Sequence, residues 1–135
     1  MYQIIELSTT RRTELIDITD QVRNIIQKSK IRNGSVIIYV PHTTAAITIN
    51  ENYDQSVADD ITNVLNRLFP HNYRYQHSEG NADAHIKAAL IGSTRTIFIE
   101  DNEILFGTWQ GIFFCEFDGP RKRKVFVKII PDSSC

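Results

Sequence analysis

The sequence has few cysteines, no excess of charge and no long apolar run. Its two cysteines, Cys115 and the last residue Cys135, match neither a disulfide framework nor a zinc-knuckle spacing. A net charge of −1 provides no overall field that would attract nucleic acid or an anionic membrane. The apolar runs are too short to cross a bilayer, and Met1 is not followed by a signal-peptide pattern. These absences predict a cytoplasmic protein that binds neither nucleic acid nor a membrane.

The rest of the composition is typical of one globular domain. Hydrophobic residues make up 41% of the chain and charged residues 23%. A chain of 135 residues fits one domain and can bury a core without disulfides or metals. No repeat, linker or low-complexity stretch divides it. We therefore expect residues 1–135 to form a single domain.

Hydrophobic periodicity and turn residues predict an α+β fold. The order is ββα-ββ-αα-ββββ, which favours a mixed, mainly antiparallel curved sheet with helices packed on it. The strand at 35–40 is rich in β-branched residues and is expected to be buried on both faces. The expected strands are 2–8, 15–19, 35–40, 45–49, 96–100, 104–106, 111–117 and 124–130, and the helices 19–33, 53–68 and 81–91.

A polar triplet interrupts two apolar strands in the first half of the chain. Pro41 has no N–H to donate and should end the ladder of the preceding strand. His42, Thr43 and Thr44 then separate this strand from the next one. Side chains at such a break are held in place by the strands around them. We expect the triplet to contribute to a site, with both threonines contacting phosphate or substrate.

Residues 75–85 contain two histidines, two acids, an amide and a glycine, with almost no large aliphatic side chain. Burying so many polar groups is unfavourable unless each one is paired. The stretch is therefore either a solvated loop or the wall of a polar site. Asn81 suits the N-cap of the following helix. His85 would then lie in the first turns and face the loop that carries His77.

Three histidines, His42, His77 and His85, are candidate metal ligands. Neutral imidazole is a common ligand for zinc and related ions, and three protein ligands with an open position form the catalytic pattern. The alternative is that each is an ordinary surface or cap histidine. His71 is expected at the surface. A three-histidine site would suit zinc, copper, iron, cobalt or nickel.

Three carboxylates, Glu51, Glu79 and Glu116, are candidates for catalysis. A carboxylate beside bound water can accept its proton, and one beside a metal-bound histidine can orient the ring. The alternative for each is an ordinary surface acid. The sequence leaves both roles open.

Four consecutive cations follow a Gly-Pro turn. Strand alternation would place Arg121 and Arg123 on one side and Lys122 and Lys124 on the other. The arginine forks suit a phosphate group. A solvated strand edge would also account for the run, because edge lysines deter aggregation.

Trp109 is the only tryptophan and lies in a Gly-Thr-Trp-Gln-Gly run. Gly107 and Gly111 on either side indicate that something approaches the backbone closely. Trp109 and Gln110 are therefore candidate substrate contacts. A tryptophan in the core is the alternative.

These segments together resemble the YjbQ-like family, known for a secondary thiamine-phosphate synthase activity. The resemblance extends over about residues 34–130. The matching motifs are His42-Thr43-Thr44-Ala45-Ala46 with Asn50-Glu51, His77-Ser78-Glu79-Gly80-Asn81 with His85-Ile86-Lys87-Ala88, Gly107-Thr108-Trp109-Gln110-Gly111-Ile112, and Glu116-Phe117-Asp118-Gly119-Pro120-Arg121-Lys122-Arg123.

The resemblance implies a small α+β subunit that assembles as a homotrimer around histidine-containing pockets. It implies that His42, His77 and His85 hold a divalent metal ion, with zinc first and magnesium or manganese as alternatives beside a diphosphate. The implied transferase reaction joins a pyrimidine-methyl diphosphate to a thiazole phosphate and releases pyrophosphate. The other candidate site residues are Glu51, Glu79 and Glu116 for catalysis, and Thr43, Thr44, Asn81, Trp109, Gln110, Arg121 and Arg123 for the substrate.

Two other classes of function stay open. One is a metal-dependent hydrolase of a small phosphorylated or ester substrate, with Glu51 or Glu79 as the base. The other is a non-catalytic oligomer that binds a metal or ligand. A transferase releases pyrophosphate only when both substrates are present, a hydrolase acts on one substrate, and a binding module shows no turnover.

Overall fold

The structure, a computed structural model, describes residues 1–133. Cys135 lies outside the described residues. Within them the element order is the one predicted from the sequence, ββα-ββ-αα-ββββ. The strands are β1 (Gln3–Ser8), β2 (Glu14–Asp17), β3 (Gly34–Tyr39), β4 (Ala45–Glu51), β5 (Thr94–Glu100), β6 (Glu103–Ile104), β7 (Gln110–Glu116) and β8 (Lys122–Pro131), and the helices are α1 (Thr19–Ser29), α2 (Gln55–Leu68) and α3 (Ala82–Ile91).

The strands divide between two sheets, which confirms the α+β class and refines the single predicted sheet. A five-stranded sheet has the order β1-β8-β3-β5-β6, and a three-stranded sheet has the order β2-β7-β4. Each pairing in the described chain is antiparallel. Between β3 and β4, residues 40–44 take the chain from the five-stranded sheet to the three-stranded sheet. The predicted break at Pro41 is thus the point where the backbone changes sheets.

The main core lies between the two sheets and α1. Val22 and Ile26 of α1 are fully buried there, as their helical spacing predicts. The helix ends earlier than predicted, because Lys30 adopts a left-handed conformation as its C-cap. Inward-facing side chains of β3, such as Ile38, complete this core. The expectation that β3 is buried on both faces is wrong, since Tyr39 on its outer face is 43% exposed.

A second, smaller core lies on the other side of the three-stranded sheet. There α2 and α3 bury Leu65, Ala84 and Ala88 against Cys115 and Phe117. Successive side chains of β7 therefore enter different cores, because strand side chains alternate. Burial raises the pKa of the Cys115 thiol to about 12.

Asp54 caps the start of α2. It accepts a hydrogen bond from the Ser56 N–H at 3.0 Å. Tyr53, the first residue of the helix predicted at 53–68, precedes α2 and is exposed. Asp59 and Asp60 lie on the solvent side of α2. None of the helices in residues 1–133 is both long and apolar enough to cross a membrane.

The outer face of the five-stranded sheet is left uncovered by the helices. Its exposed side chains include Ile4, Tyr39 and Phe98, and the ring of Phe126 contacts both Tyr2 and Tyr39. Cross-strand pairing aligns Ile4 with Phe126 and Tyr39 with the same residue. The five residues Tyr2, Ile4, Tyr39, Phe98 and Phe126 are called the outer apolar face below.

Candidate functional site

His42 is held by the backbone of β8 at the crossing between the sheets. Its Nε2 accepts a hydrogen bond from the Lys124 N–H at 3.0 Å. A neutral imidazole that accepts at one nitrogen carries its proton on the other. Partial burial and the nearby Arg123 guanidinium lower the pKa of His42. These contacts favour a neutral ring with its proton on Nδ1.

The imidazole rings of His77 and His85 lie side by side, as their predicted placement suggests. His85 lies in the first turn of α3, and its ring centre is 5.3 Å from that of His77. The two rings are nearly perpendicular, at 86°. Nε2 of His77 is 3.8 Å from a carboxylate oxygen of Glu79. The loop and the helix thus bring both histidines and one candidate acid together.

His42 and His85 line the same groove. The groove has a volume of about 380 Å³ and is open to solvent. Thr43 and Ser93 contribute polar groups, while alanines of α3 provide an apolar wall. This depression, called the histidine groove below, joins the predicted motifs that carry His42 and His85. His77 stands beside it through its contact with His85.

The histidines do not form a metal site within one chain as arranged. Among residues 1–133, no three histidine, cysteine, aspartate or glutamate side chains are grouped so that they could hold an ion. One nitrogen of His42 is already occupied by the Lys124 N–H.

Glu116 and Arg123 form a buried ion pair that joins the two sheets. Arg123 Nε donates to Glu116 at 2.9 Å, and Thr9 Oγ1 donates to the same carboxylate at 2.8 Å. Burial raises the pKa of Glu116, but these hydrogen bonds and the Asp118 N–H lower it below its usual value. The arginine also contacts Thr44 Oγ1 at 2.9 Å.

This pairing gives three predicted site residues a structural role. A fully buried, ion-paired carboxylate such as Glu116 is a poor general base, because it accepts protons reluctantly and has no access to substrate. Arg123 is buried with it and donates both to the Glu116 carboxylate and to the hydroxyl of Thr44, which is also buried. Thr43, by contrast, is exposed at the groove.

Asn81, Asp118 and Arg121 form a neighbouring network. Asn81 is the predicted N-cap of α3 by position, but its amide donates to Asp118 at 2.9 Å and makes no cap bond. Arg121 also binds the Asp118 carboxylate, at 2.7 Å. The Asn81 side-chain oxygen is buried without a hydrogen-bond partner in the described chain. The guanidinium that the sequence assigned to a phosphate is therefore engaged by an internal carboxylate.

A buried cluster around Asp83 was missed by sequence reasoning. Asp83 accepts hydrogen bonds from both Arg12 guanidinium nitrogens, at 3.0 and 3.1 Å. Lys87 Nζ lies 3.3 Å from the same carboxylate and donates to Asn66 at 2.7 Å. His71 Nδ1 is 3.1 Å from Asp83. His71 is half-exposed, as predicted, but this contact is a long-range one that spacing does not reveal.

The Trp109 motif lies at the opposite end of the three-stranded sheet, together with Glu51. Ala45 pairs with Glu116 at one end of β4, and Glu51 pairs with Gln110 at the other. Six residues of strand separate the two ends by about 20 Å. Glu51, Trp109 and Gln110 are thus remote from the histidine groove of the same chain.

The glycines beside Trp109 accommodate the chain's own side chains. A Cβ on Gly111 would overlap the Asn52 amide, and Gly107 donates its N–H to Gln110 at 2.8 Å. Trp109 is 54% exposed and contacts the Tyr53 ring at 5.2 Å, so it is not a core residue. The aromatic pair is open to solvent.

Fold and site together define a class: two-sheet α+β domains with several imidazoles beside the crossing between the sheets. The chain belongs to the family described as UPF0047 protein YjbQ-like, whose model matches residues 3–132. It is 56% identical over 127 residues to a UPF0047 protein of Methanocaldococcus jannaschii, covering 94% of this chain and 92% of that protein. It is 42% identical to UPF0047 protein YugU of Bacillus subtilis, covering 96% of this chain and 99% of YugU.

Solved structures of relatives have the same fold. A YjbQ/UPF0047 family protein of Clostridium acetobutylicum superposes with a TM-score of 0.93 at 50% identity, covering 95% of this chain and 99% of the other. A YbjQ-like protein of Sulfolobus solfataricus also gives 0.93, at 38% identity and with 98% and 97% coverage.

Proposed function

We propose that the protein is an enzyme that acts on a small phosphorylated molecule at the histidine groove. The observation that carries this proposal is that two imidazoles line one open groove while a third stands beside one of them. Histidine is the side chain that most often transfers protons near neutral pH. Such a group of imidazoles beside an exposed threonine suits acid–base chemistry on a bound substrate.

In this proposal the three histidines and Glu79 have different roles. His42, neutral and fixed by the Lys124 N–H, can donate a proton or hydrogen bond from Nδ1. His85 and His77 are close enough to exchange a proton through one water. A carboxylate oxygen of Glu79 lies 3.8 Å from Nε2 of His77. Among the predicted acids, Glu79 is therefore the best placed to assist the imidazoles.

The specific reaction follows the family resemblance. A thiamine-phosphate synthase-like transferase would join a pyrimidine-methyl diphosphate to a thiazole phosphate and release pyrophosphate. A hydrolase of one phosphorylated substrate is the second candidate. The imidazoles can accept a proton from water as readily as from a second substrate. Measuring pyrophosphate release with each substrate alone and with both distinguishes the two reactions.

The test of the site uses His85→Gln beside Leu90→Gln. Leu90 lies on the same helix, is 62% exposed and does not line the groove. We expect His85→Gln to lower turnover about 100-fold or more, as loss of a general acid or base does. Leu90→Gln should leave turnover unchanged. Equal activity in both variants, or no turnover by the wild-type protein with any phosphorylated substrate, would contradict the proposal.

A divalent metal at His42, His77 and His85 is a separate part of the proposal. It requires the side chains to rotate together or a second subunit to supply a ligand, because one chain does not group them. Such an ion would neutralise charge on a leaving diphosphate. Metal analysis of the untagged protein and of the three histidine-to-alanine variants tests it. About one ion per chain, lost in each variant, is the expected result, and a metal-free wild type after incubation with zinc would contradict it.

A further inference from the structure

The four-cation run divides into two charges that are paired with carboxylates and two that are not. Arg123 points into the core and pairs with Glu116, and Arg121 pairs with Asp118. Lys122 and Lys124 lie on the outer face of β8 and are exposed. Within residues 1–133, neither ammonium group forms an ion pair or hydrogen bond. The charges free to meet a ligand are thus the lysines, the reverse of the prediction from sequence.

An edge-strand role does not account for these lysines. Lysines on an edge strand deter pairing with another chain. At Lys122 and Lys124, β8 pairs with β1 on one side, and its pairing with β3 begins only at Phe126. On the unpaired side the Lys124 N–H donates to the His42 ring, so His42 occupies the place where another chain would pair.

The lysines line a pocket that also contains His42. The pocket has a volume of about 600 Å³, and Ser8 and Leu7 of β1 form its other wall. Glu6 lies across the ladder from Lys124 and also lines the pocket. Its single carboxylate leaves the exposed lysine charges in excess. A concave surface with excess positive charge and hydroxyl and imidazole donors is suited to a small anion.

His42 connects this pocket to the histidine groove. It lines both depressions, while the Lys124 backbone N–H fixes its ring. An anion held by the lysines would therefore lie on one side of His42, and the imidazoles of the groove on the other. This is the arrangement needed when a charged group anchors a substrate and neighbouring groups act on it.

We propose that Lys122 and Lys124, with Ser8 and His42, form a binding subsite for a phosphate or diphosphate group of a small molecule. The assignment of that molecule as a substrate rests on the proposed function, whereas the binding itself does not. The Cα atoms of two residues two positions apart on one strand face are about 7 Å apart, so both lysine side chains can reach a single diphosphate. Glu6 limits the excess charge and disfavours longer polyanions.

The test measures binding of inorganic phosphate and pyrophosphate by titration calorimetry at constant ionic strength. The wild-type protein, Lys122→Gln/Lys124→Gln and Lys128→Gln are compared. Glutamine at position 124 keeps the backbone N–H that holds His42. Lys128 is the matched control, because it lies on the same face of β8, is exposed and lines neither depression. Thermal unfolding of each variant verifies that it is folded.

We expect saturable pyrophosphate binding by the wild-type protein, weakened about tenfold or more in the double variant. Binding by Lys128→Gln should match the wild type. Unchanged binding in the double variant, equal weakening in Lys128→Gln, or no saturable binding at millimolar pyrophosphate would overturn the subsite. Lysine-dependent binding without turnover would contradict the proposed function alone, and turnover without lysine dependence would contradict the subsite alone.

Discussion

Asp83 brings one carboxylate into contact with two cations and an imidazole inside the protein. It is fully buried, and Lys87 beside it is 1% exposed. Removing one partner of a buried ion pair leaves the other charge without compensation. The carboxylate also joins Arg12, from the turn between β1 and β2, to α3. A single residue thus links three parts of the fold.

We expect Asp83→Ala to lower the free energy of unfolding by about 3–5 kcal/mol, because Lys87 would stay buried without its carboxylate. Urea unfolding of both proteins measures the difference. Asp60→Ala, an exposed aspartate on α2, serves as the control and should change stability by less than about 0.5 kcal/mol. A loss for Asp83→Ala as small as that of the control would show that the cluster contributes little.

Stability should fall in acid. The pKa values of Asp83, Glu116 and Asp118 are all held below their usual values, since hydrogen bonds from cations and amides outweigh burial. Their stabilisation is complete above the unfolded-state pKa of about 4 and is lost as the pH falls through the lower folded-state values. Urea midpoints at pH 7, 4 and 3 measure this. Asp83→Asn should flatten the decrease, and a midpoint independent of pH would contradict the prediction.

Sequence reasoning identified residues that line the site, but not all of the side chains that they contact. The adjacency of His77 and His85 followed from a short loop and a helix start, which are local features. Alternation correctly separated Arg123 from Lys124, but it does not tell which side faces the core. Glu116 lies seven positions from Arg123, and only the packing of two sheets shows that the arginine is neutralised.

At the scale of elements, the turn between β7 and β8 is fixed by the loop before β2. A Cβ on Gly119 would overlap the Arg11 carbonyl oxygen and crowd Thr9 Oγ1. Thr9 in turn accepts a hydrogen bond from the Arg121 N–H at 2.8 Å. Close backbone contact between two loops therefore supports the Glu116–Arg123 pair beside them.

Gly119→Ala should be destabilising, by about 1–3 kcal/mol, because a backbone atom cannot move aside as a side chain can. Gly107→Ala is the matched control. A Cβ there would meet the flexible end of Gln110 at 3.3 Å, which can shift. Thermal unfolding of the two variants compares them, and equal midpoints would refute the role given to the close contact.

The order of elements was predictable because each helix and strand carries its own periodicity and turn residues. The division into two sheets was not, since strand pairing is a long-range property. Pro41 marked the break before β4. The polar triplet after it lies where the chain leaves the five-stranded sheet and enters the three-stranded sheet. That Trp109 and His42 lie near opposite ends of β4 likewise followed only from the pairing register of β4 and β7.

At the scale of the molecule, the outer apolar face lies on a sheet surface that no helix of the described fold covers. Isolated apolar side chains are common on surfaces, but contiguous aromatic and aliphatic groups favour association. The family resemblance implies a homotrimer, and this face supports that proposal. Assembly would also offer a way to bring Trp109 of one subunit toward the histidine groove of another.

We expect light scattering to give the mass of a trimer for the wild-type protein. Ile4→Asp with Phe126→Asp should shift the protein toward monomer, because burying carboxylates in an apolar contact is unfavourable. Asp substitution of Leu68, which is 62% exposed on α2, is the control and should leave the mass unchanged. A monomeric wild type would contradict the trimer, and a trimer insensitive to both outer-face substitutions would place its interface elsewhere.

Alternate side chains of β7 enter two different cores, and this disfavours a shifted register between β7 and its neighbouring strands. Phe114 and Glu116 face the five-stranded sheet, whereas Cys115 and Phe117 face the helices. A slip of one residue along β2 or β4 would exchange these sets. The Glu116 carboxylate would then enter the apolar layer beneath α2 and α3, and Arg123 would be buried without a counter-ion. The ion pair therefore favours the native strand register, since only that register places both charges together.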